Sequence, residues 1–155
     1  MIRTLLHQLS TRFPVQRIFD ASGASLYLER FMLLDLGPHV GRLVLHRFAR
    51  SDAARELHNH PWYGVALILW GGYREERRVW NPTGGGLESV RVRHLRPGNL
   101  NFLAPHTFHR ADLTVHESWS LFLTGPIVQS WGFWCRDTGR YTPWREFVAA
   151  GGRGA

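Results

Sequence analysis

Short apolar runs, broken at close intervals by glycine and proline, constrain this chain more than any other feature. Sixteen Gly and eight Pro punctuate its 155 residues. Between them lie β-like runs at 26–36, 42–48, 73–80, 89–95, 100–104, 107–112 and 119–124, with a longer central run at 57–70 that Pro61 and Gly64 interrupt. Turn signals separate them at Gly37-Pro38, Gly71-Gly72, the loop 81–86, Arg96-Pro97-Gly98 and Gly125-Pro126. About nine short strands with turns every 8 to 12 residues predict an all-β jelly roll or barrel. Residues 89–95 alternate, and we read Val90, Val92 and His94 as the inward face, with Arg91 and Arg93 outward.

The length suits one domain. Residues 1–25 read as a leader, a short amphipathic helix packed on one end of the barrel and a turn at Ser22-Gly23; 26–125 form the barrel; 126–155 form a Trp-rich tail with two small elements. Trp131, Phe133, Trp134 and Trp144 in that tail are expected to cap the barrel or cover an edge strand. The apolar run 65–70 is far too short to span a membrane. Cys135 is the single cysteine, so there is no internal disulfide, which fits a reducing, cytoplasmic setting.

The formal charge is +7, and all nineteen basic side chains are Arg. They form no long block: Arg74, Arg77 and Arg78 are mixed with Glu75 and Glu76, as in a self-paired strand face. Charge alone is thus poor support for a nucleic-acid partner. Arg47 and Arg110 are the candidates for contacting an anionic substrate. A phosphate-binding loop with lysine and a Gly-x-Ser-x-Gly elbow are both absent from the sequence.

The chemistry concentrates in Leu57-His-Asn-His-Pro-Trp62. Residues i and i+2 of a strand project from one face, so His58 and His60 are expected to point together into the barrel and share one cation. A third ligand is expected from Ala104-Pro-His-Thr-Phe-His109. His106 and His109 differ in parity, so one of them faces inward. His109 lies deeper in its strand and is the choice; His106, beside Pro105, becomes a rim or supporting residue.

This pair of segments resembles the two motifs of the cupin superfamily. His58, His60 and Gly71 match the His-x-His and closing Gly of the first motif, and Gly98, Pro105 and His109 approximate the Gly, Pro and His of the second. The motifs span roughly residues 54–112, and the strand rhythm extends the likeness to about 42–125. The phrase His-Asn-His-Pro-Trp, with Gly-Gly-Tyr and Trp131-Gly-Phe-Trp134, is similar to small bacterial and phage cupins. The resemblance implies a double-stranded β-helix, one divalent transition metal held by His58, His60 and His109, and a homodimer. The glutamate of the first motif falls on Gly64 or Val65, so that ligand is missing.

Three neutral histidines leave a bound Fe(II), Mn(II), Ni(II) or Zn(II) its full charge and open positions. The resemblance to three-histidine cupins such as thiol dioxygenases favours Fe(II) and O2 chemistry on a small polar or anionic molecule. A carboxylate from Glu56 or Glu75 is the alternative completion of the site, and Tyr73, Glu75 and His106 are the catalytic candidates. Gly64 and Ala66 are expected to leave space beside the metal, lined by Trp62 and Tyr63. His94 reads as a core histidine. A metal-dependent isomerase, lyase or epimerase, and a non-catalytic binding or structural cupin, are the competing readings.

Overall fold

The computed structural model describes residues 1–19, 23–52, 56–80 and 88–151. The expected loop at 81–86 and Ser22 of the expected turn lie outside them. The chain runs α1 (Ile2–Ser10), β1 (Val15–Phe19), β2 (Leu26–Asp35), β3 (Arg42–Phe48), β4 (Leu57–His58), β5 (Trp62–Trp70), β6 (Tyr73–Trp80), β7 (Glu88–Leu95), β8 (Leu100–Leu103), β9 (His109–Leu113), β10 (Ser118–Ile127), β11 (Gly132–Cys135), β12 (Arg140–Pro143) and α2 (Trp144–Ala149). Two six-stranded sheets result, β1-β2-β3-β10-β5-β8 and β12-β11-β4-β9-β6-β7. Every strand pair is antiparallel.

The strands at 42–48 and 73–80 fall where the sequence places them. The leader and the tail each hold one element more than expected. The leader adds a strand, β1, to its helix, because Val15 to Phe19 pairs along β2. The tail holds three elements, with β11 bonded to β4 and β12 to β11, so Phe133 and Trp134 extend the second sheet, while Trp131 and Trp144 lie outside these strands and stack on each other. Phe133 there is wholly buried and stacks on Phe147 of α2 at 4.0 Å.

Cross-strand register decides which side chains share the interior. On the first sheet, Arg30, His46, Ser120 and Ile68 form one row across β2, β3, β10 and β5. On the second, Glu75 lies opposite both Ala111 and Arg93. Thus Arg93 and Leu95 of β7 take the inner side. The assigned face is reversed: Val90, Val92 and His94 are exposed. β7 ends its sheet, so its outer side meets water, and apolar alternation alone does not tell which side that is. The arginine-rich strand β6 divides the same way. Arg74 pairs with Glu76 and Asp112 outside, while Arg77 pairs with Glu75 inside.

The helix α1 is fixed by one buried carboxylate. Glu117 accepts Arg3 Nε (2.6 Å), His7 Nε2 (2.9 Å) and Trp119 Nε1 (3.1 Å) on one oxygen and Arg47 Nε (2.6 Å) on the other. Burial alone raises this carboxyl, but the donors outweigh it and hold it at about 2. Leu6 then packs with Phe31, Leu45 and Trp119.

Gly71, the glycine that closes the first motif, makes the turn by which β5 of one sheet passes to β6 of the other. Its φ is 77°, and a Cβ there would run into the Glu117 carbonyl oxygen. Gly71→Ala is therefore expected to destabilise the protein by about 2 kcal/mol or more. Urea unfolding measures it, and an unchanged midpoint would contradict this account of the turn.

Candidate metal centre

β4 is only two residues long, yet it sits between β9 and β11, with His58 opposite both His109 and Phe133. His60 lies beyond the strand end and is positioned by Asn59. The Asn59 side chain donates to the Pro105 carbonyl (2.8 Å) and accepts from Gly132 N–H (2.8 Å), and its own N–H donates to the Gly132 carbonyl (3.1 Å). Trp62 stacks flat on the His60 ring at 4.4 Å. One ring nitrogen from each of His58, His60 and His109 lies within 4.8 Å of the others.

These residues fit a transition metal. His60 Nε2 and His109 Nε2 are 2.8 Å apart. Two nitrogens bound at right angles to one ion at about 2.0–2.1 Å would be roughly 3 Å apart. Burial pulls His58 down to about 4 and His60 well below its usual range, so both are neutral with lone pairs available. His58 Nδ1 is buried without a hydrogen-bond partner, 4.0 Å from Asp52 Oδ2.

Glu75 supports the cluster from behind. It is fully buried, and its Oε1 accepts from His109 Nδ1 (2.8 Å) and Asn101 Nδ2 (2.8 Å), with Arg77 Nη2 3.1 Å from Oε2. Burial raises its carboxyl, but the bonds from His109 and Asn101 and the Arg77 charge outweigh it and hold it at about 2. An ionised acceptor at Nδ1 keeps the proton there and leaves the Nε2 lone pair facing the other histidines. Glu75 thus stands outside the converging set and orients one of its members.

The histidines open onto a cavity of about 270 Å³. Its walls are largely apolar, among them Leu28, Phe48, Leu103, Phe122 and Trp131, and they also carry Arg30, His46, Tyr27 and Asp52. The Tyr27 hydroxyl donates to Asp52 Oδ1 in a short bond, and Asp52 Oδ2 accepts from Ala111 N–H (2.5 Å). Burial first, and then the Asp52 charge, raise the Tyr27 hydroxyl well above its ordinary range. The sequence reading missed all four polar residues, which come from β2, β3 and the segment after β3 with no local motif.

Other candidates fall elsewhere. Tyr73 lines the cavity, and its hydroxyl accepts from Asn101 (3.2 Å) while burial raises it. His106 is exposed on the turn before β9, outside the cavity lining. Glu56 is not among the converging groups; it accepts from Arg136 N–H (2.7 Å), because it precedes β4 and faces the tail. Gly64 leaves no open space: a Cβ there would meet the Phe122 ring at 2.9 Å and the Trp62 ring at 3.0 Å, so these aromatics fill the space beside Gly64, one of the two positions on which the motif's glutamate falls. Ala66 does line the cavity, as does Trp62, but Tyr63 is exposed. Arg47 pairs with Glu29 and Glu117, and Arg110 with Asp112, so neither is an anion contact.

The lowered His58 value gives a pH dependence. The unfolded chain binds the proton more readily between 6.5 and about 4, so stability falls as pH drops through that window. His58 alone accounts for about 3 kcal/mol when the loss is complete, and His60 acts with the same sign. Chelator-treated protein is expected to unfold at lower urea at pH 5 than at pH 7. Equal midpoints would contradict burial of neutral imidazoles.

No family model and no curated protein matches the sequence. Solved structures do. KdgF from Halomonas sp. superposes with TM-score 0.52 at 19% identity, covering 75% of this chain and 90% of that one. A predicted oxalate decarboxylase from Thermotoga maritima gives 0.52 at 15%, covering 76% and 96%. Fe(II)-HppE with the alternative substrate (S)-1-HPP gives 0.55 at 10%, covering 74% of this chain but only 57% of that one. These likenesses concern architecture, and together with the two sheets and the histidine cluster they show that the chain has the cupin fold.

Proposed function

We propose that this cupin is a metalloenzyme holding one divalent transition metal through His58, His60 and His109, and that it acts as a non-haem Fe(II)-type oxygenase on a small polar or anionic molecule. The observation that carries this reading is the convergence of three ring nitrogens at the wall of a cavity, with the two nearby buried carboxylates engaged elsewhere, Glu75 with His109 Nδ1 and Asp52 with Tyr27 and the Ala111 N–H. A bound ion would supply Lewis acidity and, as Fe(II), one-electron chemistry with O2. The chain supplies the rest. Glu75 and Asn59 orient the ligands, and Trp62, Phe122 and Trp131 exclude water from the reacting volume. The Fe(II) state of HppE supports iron as the metal.

The Tyr27–Asp52 pair favours a second reading within the same site, a metal-dependent isomerase or epimerase. It places a hydroxyl donor and a carboxylate at the wall that His58 occupies. Oxygen uptake separates the two. A cytoplasmic homodimer belongs to the proposal as well. Exposed Leu34, Leu36, Val40, Tyr63, Phe102 and Leu123 line an apolar groove on the outer face of the first sheet, which supports self-association. No described helix is long and apolar enough to cross a membrane.

Elemental mass spectrometry tests the centre. Near-stoichiometric Fe, Mn, Ni or Zn is expected in the protein and none in the His58→Ala/His60→Ala double variant; no metal in either, even after anaerobic reconstitution, overturns the reading. Glu75→Gln is expected to keep the ligands and weaken metal binding by about 10- to 100-fold. Competition with a chromogenic chelator measures it, and unchanged affinity would remove Glu75 from the account.

A further inference from the structure

Among the described residues the Arg30 side chain has no ion-pair or hydrogen-bond partner. It sits on the inner face of the first sheet, opposite His46 in the row that continues to Ser120, and it lines the same cavity as the three histidines. Its Nε is buried with no hydrogen-bond partner. Among the described residues no ion pair includes Arg30, whereas Arg47, Arg77 and Arg110 are each paired with carboxylates. Asp52, the acid in the cavity wall, is taken up by Tyr27 and the Ala111 N–H. The other groups facing Arg30 do not neutralise it: His46 is buried and held neutral, and the Tyr27 hydroxyl stays protonated. Removing a guanidinium from water without a counter-charge destabilises a fold, so such a group is retained where something else compensates it.

We propose that Arg30 is the anchor for the oxyanion of the substrate, a carboxylate or a phosphate, held while the rest of the molecule reaches the histidine cluster. The guanidinium presents planar paired donors that match either group. The cavity of about 270 Å³ lies just below the range of drug-sized pockets, which limits the substrate to a small acid. Leu28, Phe48 and Phe122 line the same cavity as Arg30 and favour a short apolar body on the anion. Arg30 is a substrate-binding and specificity-determining residue. This assignment rests on the cavity being the substrate site in the function proposed above.

The test is a titration with butyrate and with ethyl phosphate, and with butyramide as the neutral control. It is followed by NMR of arginine Nε–H and backbone amides, on metal-loaded and chelator-treated protein. Saturable binding of one or both acids is expected, with butyramide silent, and whichever acid binds more tightly names the oxyanion. Arg30→Gln is expected to weaken that binding at least tenfold, with partial recovery in Arg30→Lys. Arg30→Met is expected to unfold at the same or a higher temperature than the parent, since it replaces an unpaired cation with an apolar chain; a structural arginine would give a large loss. Absence of acid binding, or equal binding by Arg30→Gln, would overturn the assignment. Metal content is measured on the same samples. Metal in the parent without Arg30-dependent binding sinks this inference alone. Arg30-dependent binding in a parent that takes up no metal sinks the metalloenzyme reading alone.

Discussion

The hydrogen bond between the Glu75 carboxylate and His109 Nδ1 is the interaction on which the candidate centre depends. It joins β6 to β9 in the barrel interior, and β9 is the strand that carries β4 and therefore His58. A carboxylate this deeply buried is tolerable only because Asn101 and Arg77 bond it as well. The consequence is a division of labour. The buried acid sets the tautomer of one histidine, and the converging atoms are all imidazole nitrogens.

The cavity follows from the two sheets facing each other with unlike inner surfaces. The second sheet brings the histidines and the buried Glu75. The first brings aromatic and aliphatic side chains together with the polar groups of Tyr27, Arg30, His46 and Ser120. The His46 ring is stacked on Phe122 at 4.9 Å, and burial keeps it neutral, so it adds surface without charge. The Glu117 network, which ties α1 to β3 and β10, lies apart from this cavity.

Much of this was legible in the sequence, for identifiable reasons. Glycine and proline punctuation located most strands, because turns require particular backbone angles wherever they occur. The His-x-His spacing brought His58 and His60 together, although by a different route from the one assumed. The strand ends at His58, and it is Asn59, bonded to Pro105 and Gly132, that directs His60 inward. Depth in the expected strand favours His109 over His106; His109 begins β9 and joins the converging nitrogens, whereas His106 sits on the exposed turn. What stayed hidden depends on partners distant along the chain. Arg30 looks like any strand arginine until its row-mates His46 and Ser120 are known. Glu75 and Glu76 are adjacent acids, and only β9 tells which faces the histidines. The face of β7 was misassigned because its inward Arg93 finds Glu75 and Asn101, contacts that hydropathy does not weigh.

The central claim is a neutral three-imidazole ligand set with Glu75 outside it. X-ray absorption spectroscopy of the reconstituted protein at the metal edge measures that set directly. The account predicts outer-shell scattering for three imidazoles, with Glu75→Gln leaving their number unchanged. Two imidazoles and a carboxylate oxygen lost in Glu75→Gln would contradict it and make Glu75 a ligand.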